Sequence, residues 1–174
     1  MGNQPYSLKD SSRDSALVAL VTYGEGYHNF HHRFQFDYRN GIRWYHFDPS
    51  KWVIKTLEWF GLTGDLKKAS DAHIFKAKLE VQKEQVQENL KGFSEEFREL
   101  MEKKVHATHE RLLLAYERLG HLKNEYRLFK DSVDAKRGEM ILKLKNDLQM
   151  ARSHFKEIHS SWAQLVQGCY PVPA

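Results

Sequence analysis

The chain predicts an all-α fold: short helices and loops carrying a histidine box, then a long, coiled-coil-like helical tail. Three observations predict it. Aromatic residues are unevenly divided, with 13 of the 22 in residues 1–74. Glycine and proline punctuate that same stretch, whereas no proline falls between Pro49 and Pro171. Beyond residue 75, apolar residues recur at alternating steps of three and four in a Lys/Glu/Leu-rich background. That is the spacing of helices that bury one seam.

The elements follow in order. Asp14 to Tyr23 reads as a short amphipathic helix leading into Gly24 and Gly26, which free the backbone for a tight turn and a close approach to a metal. A helix from Tyr27 to about Arg33 comes next. Asn40-Gly41 signals a turn. Asp48 has the chemistry of an N-cap, with Pro49 at the first helical position. That helix runs to Phe60, and Gly61 suits its stop. Its apolar residues are Trp52, Val53, Ile54, Leu57, Trp59 and Phe60. Core packing is the first expectation for them. A seat at a membrane interface, which two tryptophans with flanking lysines permit, is the second.

The composition changes near residues 66 to 73. The expected organisation is residues 1–70, a helical extension over 71–168, and a disordered end over 169–174. Within the extension the seams are Val86, Leu90, Phe93, Phe97 and Leu100, then Leu119, Leu122, Tyr126, Phe129 and Val133, then Leu144, Leu148, Ala151, Phe155, Ile158, Trp162 and Leu165. The register slips before Val105 and around Arg137. Gly92, Gly120 and Gly138 each weaken a helix by about 1 kcal/mol relative to alanine and are candidate bends. Either one long interrupted helix pairs with another chain, giving self-association, or the chain folds back as a hairpin or bundle. His106 and His109 lie three apart, which suits a solvated helix surface better than a metal site.

Composition excludes several classes. The net charge of +4 is spread along the chain, which argues against nucleic-acid binding, where basic residues cluster on one face. Charged residues are 29% and the mean hydropathy is −0.68. The longest apolar run, Ala16 to Val21, is six residues, far short of the roughly 20 of a membrane span. No signal peptide is recognisable. The single cysteine, Cys169, fits a reducing compartment and reads as a free thiol near a frayed end.

The most informative stretch is GEGYHNFHHR, Gly24 to Arg33. His28, His31 and His32 are spaced i, i+3 and i+4, so three imidazoles share one helical face. Imidazole is a common ligand for iron, zinc and copper. Glu25 and Asn29 are candidates for orienting a ligand ring, with capping and solvent contact the plainer alternative.

The flanks carry a resemblance. GEGxHNxHH resembles the third histidine box of the membrane fatty-acid desaturases, closest to the acyl-CoA (stearoyl-CoA type) delta-9 group. DYRxGxRWYxFDPxKW, from Asp37 to Trp52, resembles the segment that follows that box. Gly61-Leu62 with Asp65-Leu66-Lys67 resembles its close. The resemblance covers roughly residues 2 to 68. It implies a membrane enzyme of the cytosolic face with a diiron centre held by histidines. His28, His31 and His32 would be ligands, and the other two boxes have no counterpart among the remaining histidines. The chain is therefore expected to be the C-terminal part of a desaturase, inactive alone and joined to the membrane by a preceding part. The implied partners are a fatty acyl-CoA or other acyl substrate, O2, and an electron donor such as cytochrome b5 or a ferredoxin. The competing expectations are a coiled-coil scaffold bearing an inert desaturase remnant and a soluble metal-binding domain of another kind. The helical tail lies outside the resemblance.

Overall fold

Ser15 opens the first helix. Its hydroxyl accepts from the Val18 N–H, and α1 runs Ala16–Val21. This is shorter than the Asp14–Tyr23 expected, and only Ala19 of it is buried. The computed structural model describes residues 2–131 and 137–169. Its helices continue with α2 (His28–Arg33), α3 (Pro49–Trp59), α4 (Asp71–Leu90), α5 (Glu95–Asp131) and α6 (Arg137–Gly168). Among the described residues there is no strand, only isolated bridges from Asp14 to Asn3 and Tyr27. The expected all-α class is borne out.

The chain forms two compact units that divide at Val81/Gln82, inside α4. In the first, α2 packs Phe30 and Phe34 against Tyr6, Ala69, Ile74 and Ala77. The rings of Tyr6 and Phe30 meet edge to face at 5.3 Å, a favoured aromatic arrangement. The Ser70 hydroxyl accepts from the His73 N–H at 3.2 Å, capping the start of α4.

α3 forms as its caps require. Asp48 accepts from the Lys51 N–H, Pro49 sits in the first turn, and Gly61 has φ +72 beyond the end. Core packing of its apolar face is not what the structure shows. Trp52, Val53, Trp59 and Phe60 are exposed, and the buried residue of α3 is Lys51. The reason is local. The Lys51 ammonium donates to the carbonyls of Gly41 and Arg43 at 2.9 Å each and of His46 at 3.1 Å. A helix face satisfied by an amine and three carbonyls turns its aromatic side outward.

In the second unit the seams are used within the chain. Leu119 of α5 packs with Leu148 and Ala151 of α6, joined by Leu122, Tyr126 and Phe155. Tyr116 meets Phe155 at 5.8 Å, and His109 meets Trp162 at 5.8 Å. His109, Tyr116 and Leu119 of α5 thus meet Trp162, Phe155 and Leu148 of α6 in reverse chain order, so the two helices are antiparallel. Within the chain, α5 and α6 pair as a hairpin. The Trp162 indole N–H donates to Gln82 Oε1 of α4 at 2.8 Å. His109 is buried rather than solvated.

The first seam breaks apart. Val86 and Leu90 are fully buried, whereas Phe93, Phe97 and Leu100 are exposed. The chain turns at Lys91–Phe93, where the N–H groups of Lys91, Gly92 and Phe93 donate to the carbonyls of Glu88, Asn89 and Leu90. Gly92 lies in that turn, while Gly120 stays inside α5 and Gly138 inside α6. Cys169 is buried, and burial pushes its thiol pKa up. Of the expected disordered end over 169–174, Cys169 is described and buried, and residues 170–174, the seam residue Val133 and the slip at the Arg137 side chain lie outside the described residues.

Two substitutions in this unit have opposite expected signs. Leu112 is fully buried, so Leu112→Ala should cost about 2–5 kcal/mol in denaturant unfolding. A Cβ at Gly120 meets nothing within 4 Å, so Gly120→Ala should raise stability by about 0.5–1 kcal/mol.

Candidate metal centre

A helix of six residues has little stability of its own. α2 is held instead by what it touches. Asp14 Oδ1 accepts the N–H groups of Asn29 at 2.8 Å and Phe30 at 3.1 Å, satisfying the first turn. Burial pushes the Asp14 pKa up, against the lowering effect of those hydrogen bonds and of His28. Asn29 is fully buried. Its carbonyl accepts from the N–H groups of Tyr6 and Ser7 at 2.9 and 3.2 Å, and its amide donates to the carbonyls of Ser7 and Ser12 at 2.7 and 3.1 Å. Asn29 thus fastens the segment 6–12 to α2 and does not reach an imidazole.

Phe30 and Phe34 fix the rotation of the helix. With both in the core, the opposite face carries His28, His31 and His32. The ring centroids of His28 and His32 lie 5.1 Å apart, of His31 and His32 6.2 Å, and of His28 and His31 6.4 Å. The structure brings the predicted trio together. Among the described residues, no group of three or more His, Cys, Asp or Glu side chains is arranged to hold a metal ion. Two rings sharing an ion at about 2 Å stand roughly 5 Å apart, so the His28–His32 pair has the spacing of ligands and His31 stands wider.

The nitrogens fit the same chemistry. His28 Nδ1 is 2.6 Å from the Glu25 carbonyl and 3.6 Å from the Glu25 carboxylate. His32 Nδ1 is 3.4 Å from Asp10 Oδ2. In both rings Nε2 is the nitrogen left to bind. His31 Nδ1 is buried with no hydrogen-bond partner, an orphaned donor or acceptor of the kind a ligand satisfies. The donor chemistry is that of transition-metal ligands, while the three rings as they stand form no ready three-ligand group among the described residues.

A second, polar lock closes beside α2. Asp48, fully buried, accepts from Asn40 N–H at 2.8 Å, Gly41 N–H at 2.9 Å and Lys51 N–H at 3.0 Å. Together with Lys51 it holds residues 40–48 in one shape. That loop stacks His46 on Tyr27 at 4.6 Å, nearly parallel. Burial, with Lys51 and Arg43 nearby, pushes the His46 pKa down. Asp37 makes a third pin: it accepts from Arg39 at 2.7 and 2.9 Å and from the Ala69 N–H at 2.8 Å. Burial raises the Asp37 carboxyl, but the Arg39 and Ala69 hydrogen bonds outweigh it and hold the pKa low.

The glycines of the box serve the fold more than any metal. Gly24 has φ +100 and lies against Asp48. A Cβ on Gly26 would stand 2.1 Å from the Ala19 nitrogen and 2.5 Å from the Ser15 carbonyl oxygen. The close approach is to the backbone of α1. Sequence reasoning missed Asp10, Asp14 and Lys51. Asp10-Ser11-Ser12 is a recognisable turn signal, but nothing in the sequence pairs it with His32.

With this geometry in place, known proteins can be compared. The chain is 44% identical over 86 residues to acyl-CoA desaturase 1 of Saccharomyces cerevisiae, covering 49% of this chain and 17% of that protein. It is 47% identical over 76 residues to the probable acyl-CoA desaturase of Schizosaccharomyces pombe, covering 44% and 16%. It is 45% identical over 69 residues to stearoyl-CoA desaturase 5 of Homo sapiens, covering 40% and 21%. No family model and no solved structure matches the chain. The resemblance to the acyl-CoA desaturases read from the sequence is borne out over that matched stretch. The chain is similar to acyl-CoA desaturases over 69 to 86 residues, and it spans about a fifth of the length of the relatives it matches. No described helix is long and apolar enough to cross a membrane.

Two outcomes follow from the locks. Gly26→Ala should lose about 1–3 kcal/mol or more by calorimetry, because its clash is with backbone. A carboxyl held below its ordinary pKa stabilises the fold above that ordinary value, and the contribution is lost as pH falls through the lowered one. Acid titration followed by near-UV circular dichroism should therefore show the first unit losing stability below about pH 4. Asp37→Asn should flatten that acid limb and cost about 2 kcal/mol at neutral pH.

Proposed function

We propose that this segment supplies third-box ligands to the diiron centre of a fatty acyl-CoA desaturase. His28, His31 and His32 are the ligands, and desaturation by these 174 residues alone is not expected. When bound, the two irons supply the activation of O2 that removes two hydrogens from adjacent methylenes of a saturated acyl chain. The chain's own residues place and orient imidazoles. Phe30 and Phe34 turn the ring face outward, Asp14 and Asn29 fasten the helix, and the Asp48–Lys51 lock holds the neighbouring loop. The observation that carries the reading is the convergence of three imidazoles on the face opposite that core, one of them with a buried, unpartnered Nδ1.

The substrate is proposed as an acyl-CoA and the new double bond as cis delta-9, on the similarity of the DYRNGIRWY segment to that group. Reducing equivalents come from a separate carrier, cytochrome b5 or a ferredoxin. The site works at the cytosolic face of a membrane.

Residues 2–68 can be grafted in place of the matching segment of the S. cerevisiae acyl-CoA desaturase 1 and expressed in cells lacking that enzyme. Gas chromatography of cellular fatty acids should show a restored delta-9 product. His28→Ala, His31→Ala or His32→Ala should each abolish it at unchanged protein level. Full activity in the His31 variant would refute the ligand assignment, and a delta-5 product would refute the position.

A further inference from the structure

Asn29 does more than fasten a loop, because the loop it fastens carries a carboxylate back to the histidines. Asp10 is held from two sides. Its Oδ1 accepts the Ser12 N–H at 2.9 Å and the Ser12 hydroxyl, and its backbone carbonyl accepts from the Gln4 amide at 2.5 Å. These contacts leave Oδ2 uncommitted, and Oδ2 is the oxygen that lies 3.4 Å from His32 Nδ1. The anchor and the target ring are three residues apart on one helix, so loop and imidazole keep a fixed relation.

We propose, building on the reading of His32 as a ligand, that Asp10 is a positioning residue whose Oδ2 accepts a hydrogen bond from His32 Nδ1–H, which keeps the proton on Nδ1 and leaves Nε2 bare for the metal. A neutral imidazole has one N–H, and whichever nitrogen donates leaves the other as the ligand. A carboxylate partner fixes the tautomer, limits ring rotation and makes the free nitrogen more basic. His28 receives equivalent support from a different source, the Glu25 carbonyl at 2.6 Å. His31 has no such partner at its Nδ1. The three rings of the box are therefore supported unequally: carboxylates lie 3.4 Å from His32 Nδ1 and 3.6 Å from His28 Nδ1, and His31 Nδ1 has no partner. Both members of the Asp10–His32 pair are about 40% exposed, at 40% and 43%. Exposed pairs contribute little to stability, so removing the carboxylate changes orientation while sparing the fold.

Proton–nitrogen correlation NMR on the full chain labelled with 15N-histidine reads the tautomer directly, at a pH where imidazoles are neutral. The parent should show His32 with its proton on Nδ1. Asp10→Ala should shift His32 toward Nε2–H and leave His28 unchanged. Asp10→Asn, which can keep the turn with Ser12, should shift it less and serves as the readout if the alanine variant does not fold. An unchanged His32 tautomer in a folded Asp10→Ala chain overturns the proposal. Titration with Co2+ alone, followed by visible absorption, forms the second arm. Affinity should fall about 10–100-fold in Asp10→Ala, and equal affinities would also overturn the positioning role. If the parent binds no Co2+ while the tautomer shift is present, the ligand reading of the histidines fails and the Asp10–His32 interaction stands.

Discussion

Burial of Phe30 in a six-residue helix, and of Phe34 at its C-terminal cap, decides where three imidazoles go. Phe30 and Phe34 lie in the core of the first unit, and a helix that commits those positions has its remaining arc set by geometry. The histidines need no contact of their own to share a face. Their separations of 5.1 to 6.4 Å follow from spacing and from that one anchoring decision. Every finer feature, from the oxygen partners of the rings to the orphaned nitrogen of His31, is built on it.

The first unit is unusual in what it puts inside. Asn29, Asp37, Asp48 and Lys51 are buried, while Leu17, Leu20, Trp44, Trp59 and Phe60 are exposed. Buried polar groups are tolerated only when satisfied, and each of these four makes several hydrogen bonds to backbone or to a partner side chain. The loops between α2 and α4 are thereby held in a definite shape with little apolar core. The second unit uses the opposite economy. Leu112, Trp162 and the Leu119–Leu148 cluster follow ordinary seam packing between antiparallel helices.

Helix positions and caps were legible in the sequence because they depend on neighbours along the chain. Asp48-Pro49 and the histidine spacing state their elements outright, and the alternating seams of α5 and α6 state theirs. The hairpin was one of two open arrangements, since a heptad seam does not say which partner covers it. Lys51 could not be read as buried, because its three carbonyl partners depend on the shape of a loop that Asp48 sets. Asp10 was invisible for a similar reason: it reaches His32 through a fold of the chain that Asn29 creates, with no periodic trace. Gly24 and Gly26 were legible as close approaches, but what they approach is Asp48 and the backbone of α1 respectively.

The placement of the tryptophans has an optical consequence. Trp44, Trp52 and Trp59 are 84%, 45% and 86% exposed in the first unit, and Trp162 is 1% exposed in the second. Indoles in water emit at longer wavelength and meet soluble quenchers freely, whereas an enclosed indole does neither. Each half of the molecule thus contains its own spectroscopic label, and loss of order in one can be followed by fluorescence separately from the other without attaching a dye.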